Sequence, residues 1–372
     1  MRIAIVDTLY TGVLDDIYAR SPTLAQAPSA QQRAAILAVG FGTSDTYSTG
    51  LNAAGHDAVE LLVNAVPLQR RWAAEHGLRS LDVGLGLTPH GPPGRELRRR
   101  LLRAVAIAQI AALDAELVYL QDLTFLTRAQ MRRLRRDGRR LVGQIGSAPP
   151  RDGRVEELDL AITSFPHFVD RLEARGVPAR YQALAFDPRA LERVGAPARD
   201  VDVAFVGSIH APAIHRGGTA LLERLADEVD LQLWGQVDDR LDPQSPILAR
   251  HHGPAWGDDM YRVLARSRIV VNRHGDIAEG FANNMRLFEA TGMGALLLTE
   301  AAPNLGELFV PGQEVETYAD ADELIAKIRA LLDDEGRRAA IAAAGQRRTL
   351  RDHTYARRMV ELDRILRERW PD

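Results

Sequence analysis

The sequence predicts an α/β protein made of two doubly wound, parallel-sheet domains. Three observations carry this reading. The chain has 372 residues, about two typical domains. Short β-type apolar runs alternate with helix-period segments along most of it, the pattern of βαβ units. Between the halves lies FDPRALERVGAPARD (186–200), which holds Pro188 and Pro197 and no strand pattern. Apolar residues make up 46% of the chain, enough for a core in each half.

In the first half, strands are expected at 2–6, 58–63, 117–120, 141–144, 160–163 and 180–184. The longest helix there, 94–113, opens with arginines and continues RAVAIAQIAAL, a run to be buried along one side. In the second half, strands are expected at 201–206, 231–234, 269–272, 295–299 and 314–317. Helices fall between them at 215–228, 258–267, 284–291 and 320–332. The tail, 351–370, carries Tyr355, Met359, Leu362, Leu366 and Trp370, one apolar stripe on a helix. The expected division is therefore 1–186, a link at 187–200, 201–350, and a C-terminal helix at 351–372.

Composition narrows the function classes. Lys+Arg minus Asp+Glu is 47 − 50 = −3, which gives no basic excess for nucleic acid. The chain has no cysteine, so disulfides, thiol nucleophiles and cysteine-bound metals are excluded. Lys327 is the only lysine, and its helix-like surroundings resemble neither a P-loop nor a Schiff-base site. No stretch approaches the ~20 apolar residues of a membrane span. The segment MRIAIVDTLY reads as the first buried strand of a cytoplasmic protein. The arginine runs 98–100, 132–136 and 139–140 read as solvated faces.

Three segments could carry chemistry. In VDVAFVGSIHAPAIHR (201–216) a strand ends in Gly207-Ser208 just before a helix. Such a turn either brings backbone N–H groups to a phosphate or is an ordinary βα turn. The richest segment is VVNRHGDIAEGFANNMRLFEATGMGALLLTE (270–300). Its strand ends at Asn272, and a polar loop follows with Arg273, His274, Asp276, Glu279, Asn283 and Asn284. Asn283 or Asn284 can cap the next helix. Arg286 in its first turn opposes the helix dipole, a position eased by a bound anion. Glu289, among Leu287, Phe288 and Ala290, needs donors, which ribose hydroxyls or Arg286 would supply. The third segment, GFGTSDTYSTGLNAAGH (40–56), offers Ser44, Asp45, Tyr47 and Ser48. These either line a cleft for a polar substrate or start a helix. Gln121 and Asp122 follow a strand and should face its carboxyl edge. The histidines show no metal-site spacing.

The run NNMRLFEATGMGALLLTE, with WGDDMYRVLARSRIVVNRH before it, resembles the bacterial spore-maturation-type (CgeB-like) glycosyltransferases. NAVPLQRRWAAEHG, ELVYLQDL, RLVGQIGS, FPHFVDRL and GQRRTLRDHTY extend the resemblance over most of the chain. The resemblance implies the GT-B fold: two Rossmann-like domains facing a cleft, the last helix crossing back to the first. It implies a nucleotide-sugar as co-substrate rather than a resident cofactor, and an acceptor hydroxyl of unknown kind. Gly207, Ser208, Asn272, His274, Asn283, Asn284, Arg286 and Glu289 would hold the donor, with Glu289 on the ribose. Glu279-Gly280-Phe281 matches a family tripeptide, although Glu289 lies ten residues after Glu279 rather than eight. The acceptor and its base would then come from the first domain. Asp45 is the expected base, with Asp7 the alternative, and Ser44, Tyr47, Gln121 and Asp122 are expected to bind the acceptor. No Asp-x-Asp metal motif ends a strand, so transfer is expected to need no metal. The alternatives are a sugar-nucleotide epimerase of the same fold and a non-catalytic nucleotide-sugar-binding protein of envelope or spore-coat assembly.

Overall fold

The computed structural model describes residues 1–89, 91–209 and 212–371, and their side chains except at 92, 93 and 212–217. The chain forms two compact units, Met1–Gln182 with Met359–Asp372, and Ala183–Arg358. Both units are Rossmann-like, with a parallel sheet between helices.

The first sheet holds β1 (Arg2–Asp7), β2 (Asp57–Leu62), β3 (Leu117–Leu120), β4 (Arg140–Ile145), β5 (Leu160–Thr163) and β6 (Ala179–Tyr181). Its order is β2-β1-β3-β4-β5-β6, and every pairing is parallel. Ile3, Ala4, Ile5 and Val6 are all buried, because helices cover both faces of a parallel strand. The chain leaves β1 toward β2 on one side and returns to β3 on the other. The carboxyl ends of β1 and β3 therefore flank a switch in strand order, where α/β ligands bind.

The second sheet repeats this logic with β7 (Val201–Val206), β8 (Leu231–Trp234), β9 (Ser267–Asn272), β10 (Leu296–Glu300) and β11 (Glu316–Tyr318). Its order is β11-β10-β9-β7-β8, again all parallel, and the switch lies between β7 and β9. Every expected strand is present, with ends shifted by up to three residues.

Two readings are corrected here. The segment expected as a link is part of the second unit. Phe186 is fully buried and bridges to Thr354, and a helix runs Arg189–Val194. Phe186 is held by apolar contact: its ring meets Tyr261 and fills the space a side chain at Gly292 would take. The second correction concerns Glu335–Asp352, a helix that the sequence reading left out. Its buried residues are Arg338, Ile341, Gly345 and Thr349, of which only Ile341 is a large apolar side chain, too few for a strong apolar period.

The tail helix runs Tyr355–Arg369. From Met359 onward it belongs to the first unit, where Met359, Leu362, Ile365 and Leu366 are buried. His56 reaches Asp363 at 2.6 Å, and Arg367 donates to the Ala54 carbonyl at 3.0 Å.

Candidate functional site

The candidate donor site lies on the second unit, at the carboxyl ends of β7 and β9. β7 runs into Gly207, whose N–H donates to the Trp234 carbonyl at 3.0 Å. Gly235 lies against Gly207 so closely that a Cβ there would collide with the Gly207 carbonyl. Ser208 is exposed just beyond, and a helix, Pro212–Glu228, follows. The strand–turn–helix order predicted from 201–216 is thus present.

After β9 the polar loop folds back on its own strand. Asn284 is its clamp: Nδ2 donates to Asn272 Oδ1 at 2.9 Å and to the Arg273 carbonyl at 2.6 Å. Its Oδ1 accepts from Leu287 N at 3.2 Å, so Asn284 caps the helix Arg286–Gly292 from two residues before it. Asn272 is buried and donates to Thr299 Oγ1 at 2.9 Å. His274 N donates to Glu300 Oε2 at 2.6 Å, and its ring lies against Thr299 and the Asn283 N–H. Burial pushes the His274 imidazole down to about 4. It is therefore neutral near pH 7 and acts here as a loop brace. Asn304 fixes the same loop through both the N–H and the carbonyl of Ala282. Glu279 is exposed with φ 49°, a left-handed turn residue.

Arg286 ties this loop to β7. Its Nε donates to the Val206 carbonyl at 3.1 Å and its Nη1 to Glu289 Oε2 at 2.7 Å. This ion pair is buried: the side chains are 15% and 4% exposed. Helix Asp258–Arg266 supplies the cover, with Met260 against Arg286 and Tyr261 hydrogen-bonded to Glu289. Burial raises the Glu289 carboxyl, and Arg286 works against that rise.

Arg273, which the sequence reading left without a role, is the cation of this site without an anion. Its guanidinium lies on the backbone of Gly218, where any Cβ would collide with it. Its Nε is buried with no hydrogen-bond partner, and no carboxylate among the described residues pairs with it. The signal was its place one residue past a strand end, on the ligand edge of the sheet. The arrangement offers a planar donor group, a glycine turn and a polar loop to an anionic, hydroxyl-bearing ligand.

On the first unit the same edge carries carboxylates. Asp7 ends β1 and accepts from Thr8 N at 2.8 Å. Asp122 follows β3; it accepts from Thr8 Oγ1 at 2.9 Å and from Thr124 N and Oγ1 at 2.7 Å each. Burial, with Asp122 adding to it, pushes the Asp7 carboxyl up to about 7. Glu60, on β2, is buried and accepts from Ser48 N at 3.1 Å. Burial pushes it up to about 8, and Asp7 and Asp45 add smaller repulsions. Glu60 was missed because a Glu inside a strand reads as a solvent-facing residue.

The 40–56 segment is corrected. It is a helix start, Thr46–Ala53, rather than a cleft lining. Ser44 is buried and donates to the Leu37 carbonyl, so its hydroxyl braces the loop. Tyr47 is 3% exposed, tilts against Tyr119 and reaches Gln144, so it is core. Asp45 precedes the helix, half-buried, and accepts from Thr49 Oγ1 at 3.3 Å. Gln121 and Asp122 stand at the strand end as expected, both half-buried.

Comparison with known proteins agrees with the two-domain fold. The architecture is that of GT-B glycosyltransferase structures. Residues 216–364 match the model of the glycosyl transferase-like family, Glyco_trans_1_2. That segment contains Gly218, Arg273, Arg286 and Glu289. Sucrose-phosphate synthase from Thermosynechococcus elongatus superposes with a TM-score of 0.59 at 13% identity, covering 98% of each chain. Anabaena HepE in complex with UDP-glucose gives 0.60 at 13% identity, over 98% of this chain and 99% of that one. UDP-GlcNAc 2-epimerase from Neisseria meningitidis bound to UDP-GlcNAc gives 0.54 at 8% identity, over 99% and 100%. No curated protein matches the chain. Among the described residues no helix is long and apolar enough to cross a membrane.

Proposed function

We propose that the protein is a glycosyltransferase that moves a sugar from a nucleotide-sugar donor to a hydroxyl acceptor. One observation carries the reading: Arg273, at a switch-point strand end, holds a guanidinium with a buried Nε and no anion. A donor diphosphate would supply that anion, and Arg286 adds a second cation beside the β7 turn. As the bond between sugar and phosphate breaks, negative charge grows on the diphosphate. Arg273, Arg286 and the Ser208 backbone N–H offset it, so transfer proceeds without a metal. Asn272, His274, Asn283 and Asn284 shape the donor loop, and Glu289, paired to Arg286, is assigned to the ribose end. Asp7, ahead of Asp45, is the base for the acceptor hydroxyl, because its raised pKa matches proton removal near neutral pH. The spore-maturation type is the subfamily this reading favours.

The test is calorimetry with UDP and UDP-glucose on Arg273→Gln. Loss of a charged hydrogen-bond donor should weaken binding about tenfold or more, with the melting temperature unchanged. Equal affinity would refute the diphosphate role. Turnover that EDTA abolishes and Mg²⁺ restores would refute metal-independent transfer.

A second reading, a sugar-nucleotide epimerase, draws on the Asp7–Glu60 pair, two carboxyls near neutral pKa that could exchange protons with a sugar carbon. Incubating UDP-sugars without acceptor separates the two. An epimeric UDP-sugar supports epimerisation, whereas a glycosylated product formed only with acceptor supports transfer.

A further inference from the structure

The first unit holds a cavity of about 1070 Å³ that the proposed reaction does not use. It lies between helix Arg128–Arg136, the start of β4 and Trp370. Because all strands of this sheet are parallel, it opens at their amino ends. Asp7, Gln121 and Asp122 stand at the opposite, carboxyl ends. Two of the arginine runs that read as solvated faces in the sequence, 132–136 and 139–140, converge here.

Six arginines line the cavity, against two carboxylates, Glu157 and Asp159. Glu157, with its side chain 8% exposed, accepts from Arg128 at 2.7 Å and from Arg132 at 2.8 Å. Asp159 pairs with Arg135 at 2.8 Å. That leaves Arg136, Arg139 and Arg140 without a carboxylate from the cavity wall. Arg139 reaches Asp137 only at 3.9 Å, and its Nε is buried with no hydrogen-bond partner. Arg140 stacks over Trp370, 5.3 Å from the ring centroid, and its Nη1 meets the Met1 sulfur. Buried guanidinium N–H groups require acceptors, and converging like charges repel unless an anion lies between them.

We propose that this cavity binds a small, multiply charged phosphate anion of the di- or triphosphate class. Guanidinium forks match phosphate oxygens in pairs, and a compact anion carrying several charges can meet three forks at once. A carboxylate ligand would bring too little charge for three cations. A bilayer is flat, whereas these groups line a concavity. The proposal is independent of the donor site, which belongs to the other unit.

The experiment is calorimetry of the full chain with sodium tripolyphosphate. Binding should persist in Arg273→Gln, which separates this cavity from the donor site. It should fall about tenfold or more in the triple variant Arg136→Gln, Arg139→Gln, Arg140→Gln. Because the triple variant could disturb folding, the exposed single change Arg136→Glu provides a second measure. It should weaken binding while keeping the melting temperature, and added salt should weaken binding to the native chain. Failure of the native chain to bind, or native affinity in both variants, would overturn the proposal. So would sedimentation with phosphatidylglycerol vesicles that the triple variant loses while tripolyphosphate fails to bind.

Discussion

Asp7 and Glu60 are carboxyls whose burial changes what they can do. A base with a pKa of about 7 is half ionised at neutral pH and fully ionised only above it. The rate should therefore rise through pH 7, and Asp7→Asn should remove that limb from kcat/KM while leaving UDP affinity intact. An unaltered pH profile in Asp7→Asn would move the base elsewhere, with Asp45→Asn the next variant to measure. Glu60 makes a second, separable prediction about stability. Its folded pKa, about 8, lies far above that of an unfolded glutamate, so ionisation favours the unfolded chain. Stability from this group is full at low pH and is lost as pH climbs toward 8. His274 and His353, both pushed down to about 4, act oppositely, but only below their unfolded value near 6.5. Between pH 6.5 and 8 the carboxyls dominate among these shifted groups. Glu60→Gln should therefore flatten the fall in melting temperature across that window. An equal fall in both proteins would show that Glu60 is ionised in the fold.

At the scale of elements, helix Thr46–Ala53 shows how packing overrides propensity. Gly50 lies inside this helix, where Ala would ordinarily be favoured by about 0.8–1 kcal/mol. A Cβ at Gly50 would collide with Cβ and Cγ of Met359 on the tail helix. Cβ cannot swing aside, so the overpacking, about 1–3 kcal/mol, should win. Gly50→Ala is expected to lower the denaturant midpoint; a raised midpoint would mean that the tail helix shifts freely. The same element explains what the sequence could and could not reveal. The strands were legible because buried parallel strands read as continuous apolar runs. The polar loop after β9 was legible because its asparagines and Arg286 crowd between a strand and a helix. The spacing of Arg286 and Glu289 announced their ion pair, but its burial depends on Met260 and Tyr261, which are remote in sequence. Ser44 and Tyr47 were misread because polar residues at a helix start look the same whether they face water or their own backbone. Glu60 was invisible for the related reason that alternation cannot tell which face of a strand a helix will cover.

For the whole molecule, the route of the chain sets what a truncation does. The residues proposed to hold the donor all fall within Ala183–Arg358, whereas Met359–Asp372 completes the first unit. Met359, Leu362 and Leu366 are fully buried there and Ile365 nearly so. Each such side chain is worth about 1.5–3 kcal/mol, so the four together contribute on the order of 6–12 kcal/mol at most. That is comparable to the entire stability of a typical domain, about 5–15 kcal/mol. Ending the chain after Arg358 should therefore unfold the first unit and expose its apolar face to a hydrophobic dye. UDP binding by the second unit should survive, because Arg273, Arg286 and Glu289 keep all their contacts within 183–358. Glycosyl transfer, which the proposal assigns to Asp7 of the first unit, should vanish. Melting followed with and without UDP separates the outcomes. A truncated protein that melts like the full chain and still transfers sugar would show that neither the tail nor the first-unit base is needed.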